Sequence, residues 1–404
     1  MSGRLPRVAV VYDLGAAVPL DILTDLKGIA EPIFVLPNTA YGRKVAGMLT
    51  DIADVCDADD VAAHRPDGIT TFSDFQMDTT ARLAHELGLP FHTPLAAATI
   101  TRKFLQRTAL NKNGVGHAAT ALITDRLSAA QALEEVPLPC VLKPNRGVGG
   151  TNTYLIESAE ELRHLVNDLF GGRTSDPDDG YVLETRLVPA PIEEPWGGYV
   201  SVESMVSGGR VKHLGITGKF ALSPPFRERG GFVPPLPKSV DEEAVYDLTT
   251  RALTALGAGD SVCHTEIMLT GNGPQIIEVN GRAGGNIVDL FRRGYGISLV
   301  DLAVRLSLGH EPKVASQSAE KVVFHYFGLA PVGARIFNHA AGLDDVRKMP
   351  EVERLDVVVP PGSPLDWRRG FHERVYTCRG SVADHDALAA FLQHMEGLLD
   401  PTYR

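Results

Sequence analysis

The chain has 404 residues, with 39 Lys plus Arg against 50 Asp plus Glu, giving a net charge of −11. That deficit of basic residues argues against a nucleic-acid or anionic-membrane protein, because both need a positive footprint. With 44% hydrophobic and 22% charged residues the chain is not disordered, fibrous or disulfide-framed, and at about 150 residues per domain it holds roughly two to three domains.

The first apolar run, Val8 to Tyr12, is stopped by Asp13 and is too short for a signal-peptide core. No stretch approaches the roughly 18 apolar residues of a membrane span. Cys56, Cys140, Cys263 and Cys378 are scattered without a CxxC pair, which suits free thiols in a reducing cytoplasm. The expectation is a cytoplasmic protein with neither nucleic-acid nor membrane partners. Runs at Val8 to Tyr12, Pro32 to Leu36 and Gly68 to Phe72, with a helix at Thr79 to Leu87, predict a parallel sheet covered on both faces. The turn Asp13 to Ala17 lacks GxGxxG, so a dinucleotide site is rejected.

Thr101 to Asn113 reads as a basic helix. Short strands follow at Ala121 to Thr124, Cys140 to Lys143, Thr153 to Ile156 and Tyr181 to Glu184, with a helix at Ala159 to Leu169. Tyr199 to Val206 pairs with Val211 to Ile216 across Gly208-Gly209. A proline-rich loop runs from Ser223 to Pro237, then helices at Asp241 to Leu256 and Ile297 to Leu308. From about Val314 a mixed segment ends in a helix at Asp384 to Leu399. Its role stays open between a lid, a homodimer surface and, for Val357 to Val359, ordinary core.

The most informative stretch is His264-Thr265-Glu266 and Glu278-Val279-Asn280-Gly281-Arg282 on two strand-patterned runs flanking Gly271-Asn272-Gly273. A turn centred on Asn272 pairs 266 with 278 and 264 with 280, which brings two glutamates within roughly 5 Å at their β-carbons. Like charges that close need neutralising. Two carboxylates and an amide are the oxygen ligands that a hard cation such as Mg²⁺ or Mn²⁺ selects, with nucleotide phosphates completing its shell. Arg282 shares the face and can grip a second anion. Lys143 ends a buried-looking strand before Gly147-Val148-Gly149-Gly150-Thr151, where backbone N–H groups can approach phosphate. Walker A is excluded at Gly218-Lys219, which is followed by Phe220.

Lys103, Lys143, Glu184 and the Glu…Glu-x-Asn-x-Arg hairpin, in that order, resemble the ATP-grasp superfamily. Glu278 to Gly285 looks most like carboxylate–amine ligases of the L-amino acid ligase (dipeptide synthetase) type. The resemblance implies an α/β chain, α+β in its catalytic part. It comprises an N-terminal parallel-sheet domain (1–100), a small ATP-clamping subdomain (101–187), a large antiparallel catalytic subdomain (188–313) and a C-terminal lid (314–404). It implies that Lys103 and Lys143 hold ATP phosphates beneath the loop of Gly147, Gly149 and Gly150, with Glu184 through Leu187 at the adenine hinge and Glu203 near the substrates. Glu266, Glu278 and Asn280 would bind magnesium or manganese. Arg282 would grip the substrate carboxylate, with Gly284 and Gly285 shaping the amino-acid pocket and Lys219 and Glu228 beside the second substrate. Gly218, Gly231 and Tyr199 stand where relatives usually carry acid, histidine and acid, departures that concern the substrate pair. The implied reaction joins a small carboxylate and an amine through an acyl phosphate. Other ATP-grasp acceptors (bicarbonate or a carrier protein) and a silent nucleotide-binding protein are the alternatives.

Overall fold

The computed structural model describes residues 4–236, 239–314 and 319–404; Pro237, the last residue of the expected proline-rich loop, lies outside them. Four parallel strands open the chain, in the order Asp54–Cys56, Glu31–Val35, Arg7–Val11, Gly68–Thr70. Val8, Ala9 and Val10 are fully buried, as a strand covered on both faces requires. Their core is shared with helices Ile287–Tyr295 and Leu299–Ser307 through Phe291, Val300 and Val304. This seats the N-terminal sheet firmly on the rest of the molecule. Its loops at 14–16 and 71–75 follow the carboxyl ends of adjacent strands, the usual ligand side of such a sheet.

The basic helix expected over Thr101 to Asn113 is present as Lys103–Lys112, and a further helix, Pro94–Thr101, precedes it, the two parted at an extended Arg102 (φ −110°, ψ 108°). The break follows from a charge clamp: Arg102 forks onto Asp178 with two bonds of 2.7 Å. The second helix turns its Lys103, Gln106, Arg107 and Leu110 face inward. A small antiparallel sheet follows, ordered Thr120–Ile123, Tyr181–Thr185, Cys140–Pro144, Tyr154–Ile156. Helices Arg126–Glu135 and Ala159–Phe170 share its core. The first of these helices was absent from the sequence reading, although Asp125 and Ser128 form its capping box.

The largest sheet has eight strands, ordered Gly273–Asn280, Ser261–Thr270, Trp196–Ser207, Arg210–Phe220, Gly230–Val233, Val322–Leu329, Arg374–Val382, Val352–Val357. Two expectations are corrected here. The stretch read as a proline-rich loop contains the strand Gly230–Val233, which pairs with Arg210–Phe220 on one side and Val322–Leu329 on the other. The boundary expected at 313/314 therefore falls within one continuous sheet, and 314–404 extends that sheet instead of standing apart. Of the stretch read as possible core, Val357 and Val358 are exposed at 36% and 41%, whereas Val359 packs against the core of this sheet. Among the described residues no helix is long and apolar enough to cross a membrane.

Candidate active site

A cavity of about 280 Å³ opens where the N-terminal, small antiparallel and eight-stranded sheets meet. Its floor is the hairpin of Ser261–Thr270 and Gly273–Asn280, where Glu266 pairs with Glu278 and His264 with Asn280, as the spacing predicts. The route to that register differs from expectation. The turn is tighter, pairing Thr270 with Gly273, and a one-residue shift between Glu266 and Ile267 restores the alignment. Strand alternation then sets His264, Glu266, Glu278 and Asn280 along the cavity, and Arg282, two residues past the strand end, lines it too.

Each floor charge has a partner. Lys103 Nζ donates to Glu278 Oε1 at 2.8 Å and to the Gly147 carbonyl at 2.9 Å. Lys143 and Arg107 flank Glu184 at 2.7 and 3.4 Å, while Arg107 also donates to the Ile276 and Ile277 carbonyls at 2.8 and 2.9 Å. Burial alone would raise the Glu184 carboxyl, but these two cations hold it down to about 2. Glu266 is likewise pushed up by burial and, against that, held below the ordinary carboxylate range by His264, Lys219 and Arg282. Burial would lower the His264 imidazole, yet the Glu203 carboxylate bonded to its Nδ1 raises it to about 9. Lys219 donates to Glu228 Oε1 at 2.6 Å. Burial works against its charge, but Glu228 and Glu266 keep it above its ordinary value. Lys219 is only 2% exposed and both partners line the cavity, so the pair faces the cavity and not the outer surface. The Asn280 side chain has no hydrogen bond among the described residues.

The roof comes from two distant stretches. Gly147 to Thr151 lies against Phe371 and His372 of the segment Trp367–Glu373. Phe371 N donates to the Gly149 carbonyl at 3.1 Å, and Asn152 N to the Arg368 carbonyl at 2.7 Å. Gly149 has φ +67°, and a β-carbon there would lie 2.4 Å from the Phe371 ring. Thr185, Leu187, Tyr199 and Phe226 complete the walls with Leu14 to Ala16, Asp74 and Phe75 of the N-terminal domain.

Two expected site residues do not reach the cavity. Glu203 is fully buried, bonded to His264 and accepting from Gly284 N at 3.2 Å, so it backs the floor and cannot touch a nucleotide. Gly284 packs on the same pair: a β-carbon would lie 2.5 Å from His264 Nδ1, whereas Gly285 does line the cavity. Arg107, His264, Asp74, Phe226 and Phe371 were missed as site residues. Arg107 stands four residues after Lys103 and His264 two before Glu266, so helical and strand periods could have found them. Asp74 and Phe371 carry no local signal.

Residues 101–286 match the ATP-grasp domain family (ATP-grasp_3). The chain is 28% identical over 266 residues to human carnosine synthase 1, covering 62% of this chain and 32% of that protein. It is 27% identical over 254 residues to the alanine–anticapsin ligase of Bacillus subtilis strain 168, covering 58% and 52%. It thus spans about a third to a half of the length of these two relatives. The crystal structure of an L-amino acid ligase from Bacillus licheniformis superposes over 100% of both chains with a TM-score of 0.77 at 19% identity, which establishes the same fold.

Proposed function

Because residues 101–286 of this chain are an ATP-grasp domain, we propose that the protein is an ATP-dependent carboxylate–amine ligase, joining two small molecules and releasing ADP and phosphate. The observation that carries this reading is the direct pairing of Glu266 with Glu278, beside an unpartnered Asn280 amide and between Lys103 and Arg282. The names of the relatives, an alanine–anticapsin ligase and a carnosine synthase, support amino acids as the substrates. The four free thiols suit a cytoplasmic setting.

The donor set fits a hard divalent cation, Mg²⁺ or Mn²⁺. Glu266, Glu278 and Asn280 offer oxygen alone, and the described residues contain no group of three or more His, Cys, Asp or Glu able to hold an ion. Those three residues would hold the cation, and nucleotide phosphate oxygens would complete its shell. When bound, such a cation neutralises charge on the phosphates. The chain's own residues do the remaining work. Lys103 and Lys143 offset the negative charge that would repel an incoming carboxylate, and Thr185 to Leu187 border the adenine. Arg282 orients that carboxylate so that one oxygen attacks the γ-phosphorus as the bond to ADP breaks. The amine nitrogen then attacks the acyl carbon and phosphate leaves. Glu228, paired with Lys219 at 2.6 Å, takes the proton that the amine gives up in this reading. The roof of Gly147 to Thr151 against Phe371 keeps water from the acyl phosphate.

Phosphate release with a panel of amino acids, bicarbonate and carrier protein, with mass spectrometry of the products, tests this reading. Arg282→Ala abolishes amide formation while ATP still binds, seen by calorimetry. Amide formation at the normal rate by that variant removes Arg282 from its role. A carboxylated product, a loaded carrier or no ATP turnover at all selects one of the other readings.

A further inference from the structure

The strand that carries Glu278 and Asn280 lies at the edge of the eight-stranded sheet, paired only with Ser261–Thr270. An antiparallel strand turns the N–H and C=O of alternate residues away from its neighbour, so an edge strand presents a row of backbone groups that must find other partners. Three buried side chains supply them here. Arg107 Nη1 and Nη2 donate to the Ile276 and Ile277 carbonyls at 2.8 and 2.9 Å. Gln106 takes both backbone groups of Val279: its Nε2 donates to the carbonyl and its Oε1 accepts from the N–H, each at 2.8 Å. Just past the strand end, Gly259 N donates to His92 Nδ1 at 2.9 Å, which makes Nε2 the donor to the Gly281 carbonyl at 2.7 Å. Arg282 is held separately, by Asp74 on its Nε and Nη2.

Gln106 is the member of this row that its chemistry specifies most tightly. The second hydrogen of Nε2 goes to the Ile100 carbonyl at 2.7 Å, which lies in the last turn of Pro94–Thr101, just before the break at Arg102. The carboxamide therefore spends two donors and one acceptor on two carbonyls and one N–H. A glutamate offers no donor there and a lysine no acceptor, and a flipped amide would set donor against donor at Val279. Val279 itself is fully buried in the apolar core on the opposite face of the sheet. With its side chain packed and both of its backbone groups bonded, its neighbours Glu278 and Asn280 are fixed toward the cavity.

Lys103 holds the same strand in a different way, through the Glu278 side chain. Resting on the ATP and metal sites of the reading above, we infer that Gln106 is a positioning residue for the metal site. It keeps Glu278 and Asn280 on the cavity face after Lys103 has left the Glu278 carboxylate for phosphate. The Lys103 bond occupies an oxygen that an incoming cation must take, so it is given up on each turnover. The Gln106 bonds use main chain alone and compete with no ligand. Gln106 follows Lys103 by three residues on one helix face, so the grip on phosphate and the brace of the metal-binding strand are built into a single turn.

Gln106→Met keeps the length of the side chain and removes all three bonds. Mn²⁺ binding to the ADP-saturated protein is followed by electron paramagnetic resonance, and ADP binding in EDTA by calorimetry. Hydrogen exchange is read by mass spectrometry on peptides covering 276–282 and 181–185. The variant loses about 10- to 100-fold in Mn²⁺ affinity while ADP in EDTA binds within about threefold of wild type. Exchange quickens about tenfold over 276–282 and is unchanged over 181–185. Faster exchange over 276–282 without a loss of Mn²⁺ affinity overturns the inference, because Gln106 then only fastens the strand. Unchanged exchange over 276–282 overturns it as well, and so does an equal loss of Mn²⁺ and of metal-free ADP, which would place the effect on the nucleotide. If Gln106→Met does not fold, Gln106→Glu, which keeps an acceptor for the Val279 N–H and loses both donors, is judged by the same measurements. None of these readouts depends on a product. A protein that shows the expected shifts but forms no amide loses the ligase reading and keeps this one, whereas a wild type that binds no Mn²⁺ with ADP overturns this one whatever it ligates.

Discussion

On the floor of the cavity acids are met by buried cations: Glu184 by Lys143 and Arg107, Glu278 by Lys103, and Glu203 by His264. On the roof, the loop at 149–152 and the segment Trp367–Glu373 meet through two backbone hydrogen bonds and the close approach of Gly149 to an aromatic ring. The difference is one of what each part can give up. Removing one partner of a buried pair strands the other charge at a cost of about 3–5 kcal/mol, so the floor is fixed before any ligand arrives. A backbone hydrogen bond nets about 1 kcal/mol, so the roof can open and close on each turnover. On the ligase reading proposed above, chemistry belongs to the rigid part and exclusion of water to the movable one.

The largest effect expected from this contrast is at the hairpin. Glu278→Gln keeps the shape and a hydrogen-bond acceptor for Lys103 but loses the charge that faces Glu266. ADP release with the best carboxylate and amine falls by at least about 10³-fold, near 4 kcal/mol of transition-state stabilisation. A variant that keeps activity within tenfold overturns this role, because the floor acids would then serve only to neutralise lysines.

The floor was also the part most legible in the sequence. Glu266, Glu278 and Asn280 are close in the chain, and a hairpin with period-two alternation turns their spacing directly into a shared face, with Arg282 just past its end. Even the tighter turn did not spoil the register, since the added bulge residue cancelled it. The parallel N-terminal sheet was legible for a similar reason: each continuous apolar run is a strand covered on both faces. Asp74 and Phe371 were not, since they lie 208 residues before Arg282 and 222 after Gly149. Only tertiary packing brings such pairs together. The strand Gly230–Val233 was hidden by its own composition: two glycines and the prolines that follow read as a loop, yet it is the link between the two halves of the largest sheet.

The second prediction concerns stability of the floor. The Glu184 carboxyl sits at about 2 in the folded chain against an ordinary 4.5. A depressed carboxyl contributes stability that is fully present above its unfolded value and lost as pH falls through the folded one. Between pH 5 and pH 2, therefore, the urea midpoint of the wild type drops with a component that Glu184→Gln lacks. At pH 7 Glu184→Ala is destabilised by about 3 kcal/mol, because Lys143 and Arg107 are left facing each other. Equal acid slopes in the two proteins would mean that Glu184 is not held by those cations, and the floor would lose its claim to be preset.

The smallest effect is on the roof, and it shows in coupling more than in rate. Alanine at Gly149 meets two obstacles: a left-handed backbone at φ +67° and the Phe371 ring 2.4 Å from its β-carbon. The first alone costs about 1–2 kcal/mol, comparable to the two hydrogen bonds that hold the roof down. The loop is therefore displaced and water reaches the acyl phosphate. Phosphate released per amide formed, measured by chromatography, rises about tenfold, near 1.4 kcal/mol in partitioning. Alanine at Gly147 has only the Pro144 side chain as a neighbour, at 3.5 Å, an ordinary contact. Its added methyl group stands where backbone must approach phosphate, so Gly147→Ala raises the KM for ATP a few-fold and leaves the phosphate-to-amide ratio as it was. Two glycines of one loop would thus fail differently, one in holding the nucleotide and one in keeping water out. If both variants changed the same quantity, the loop would act as a single phosphate cradle and the contact with Trp367–Glu373 would have no part in closure.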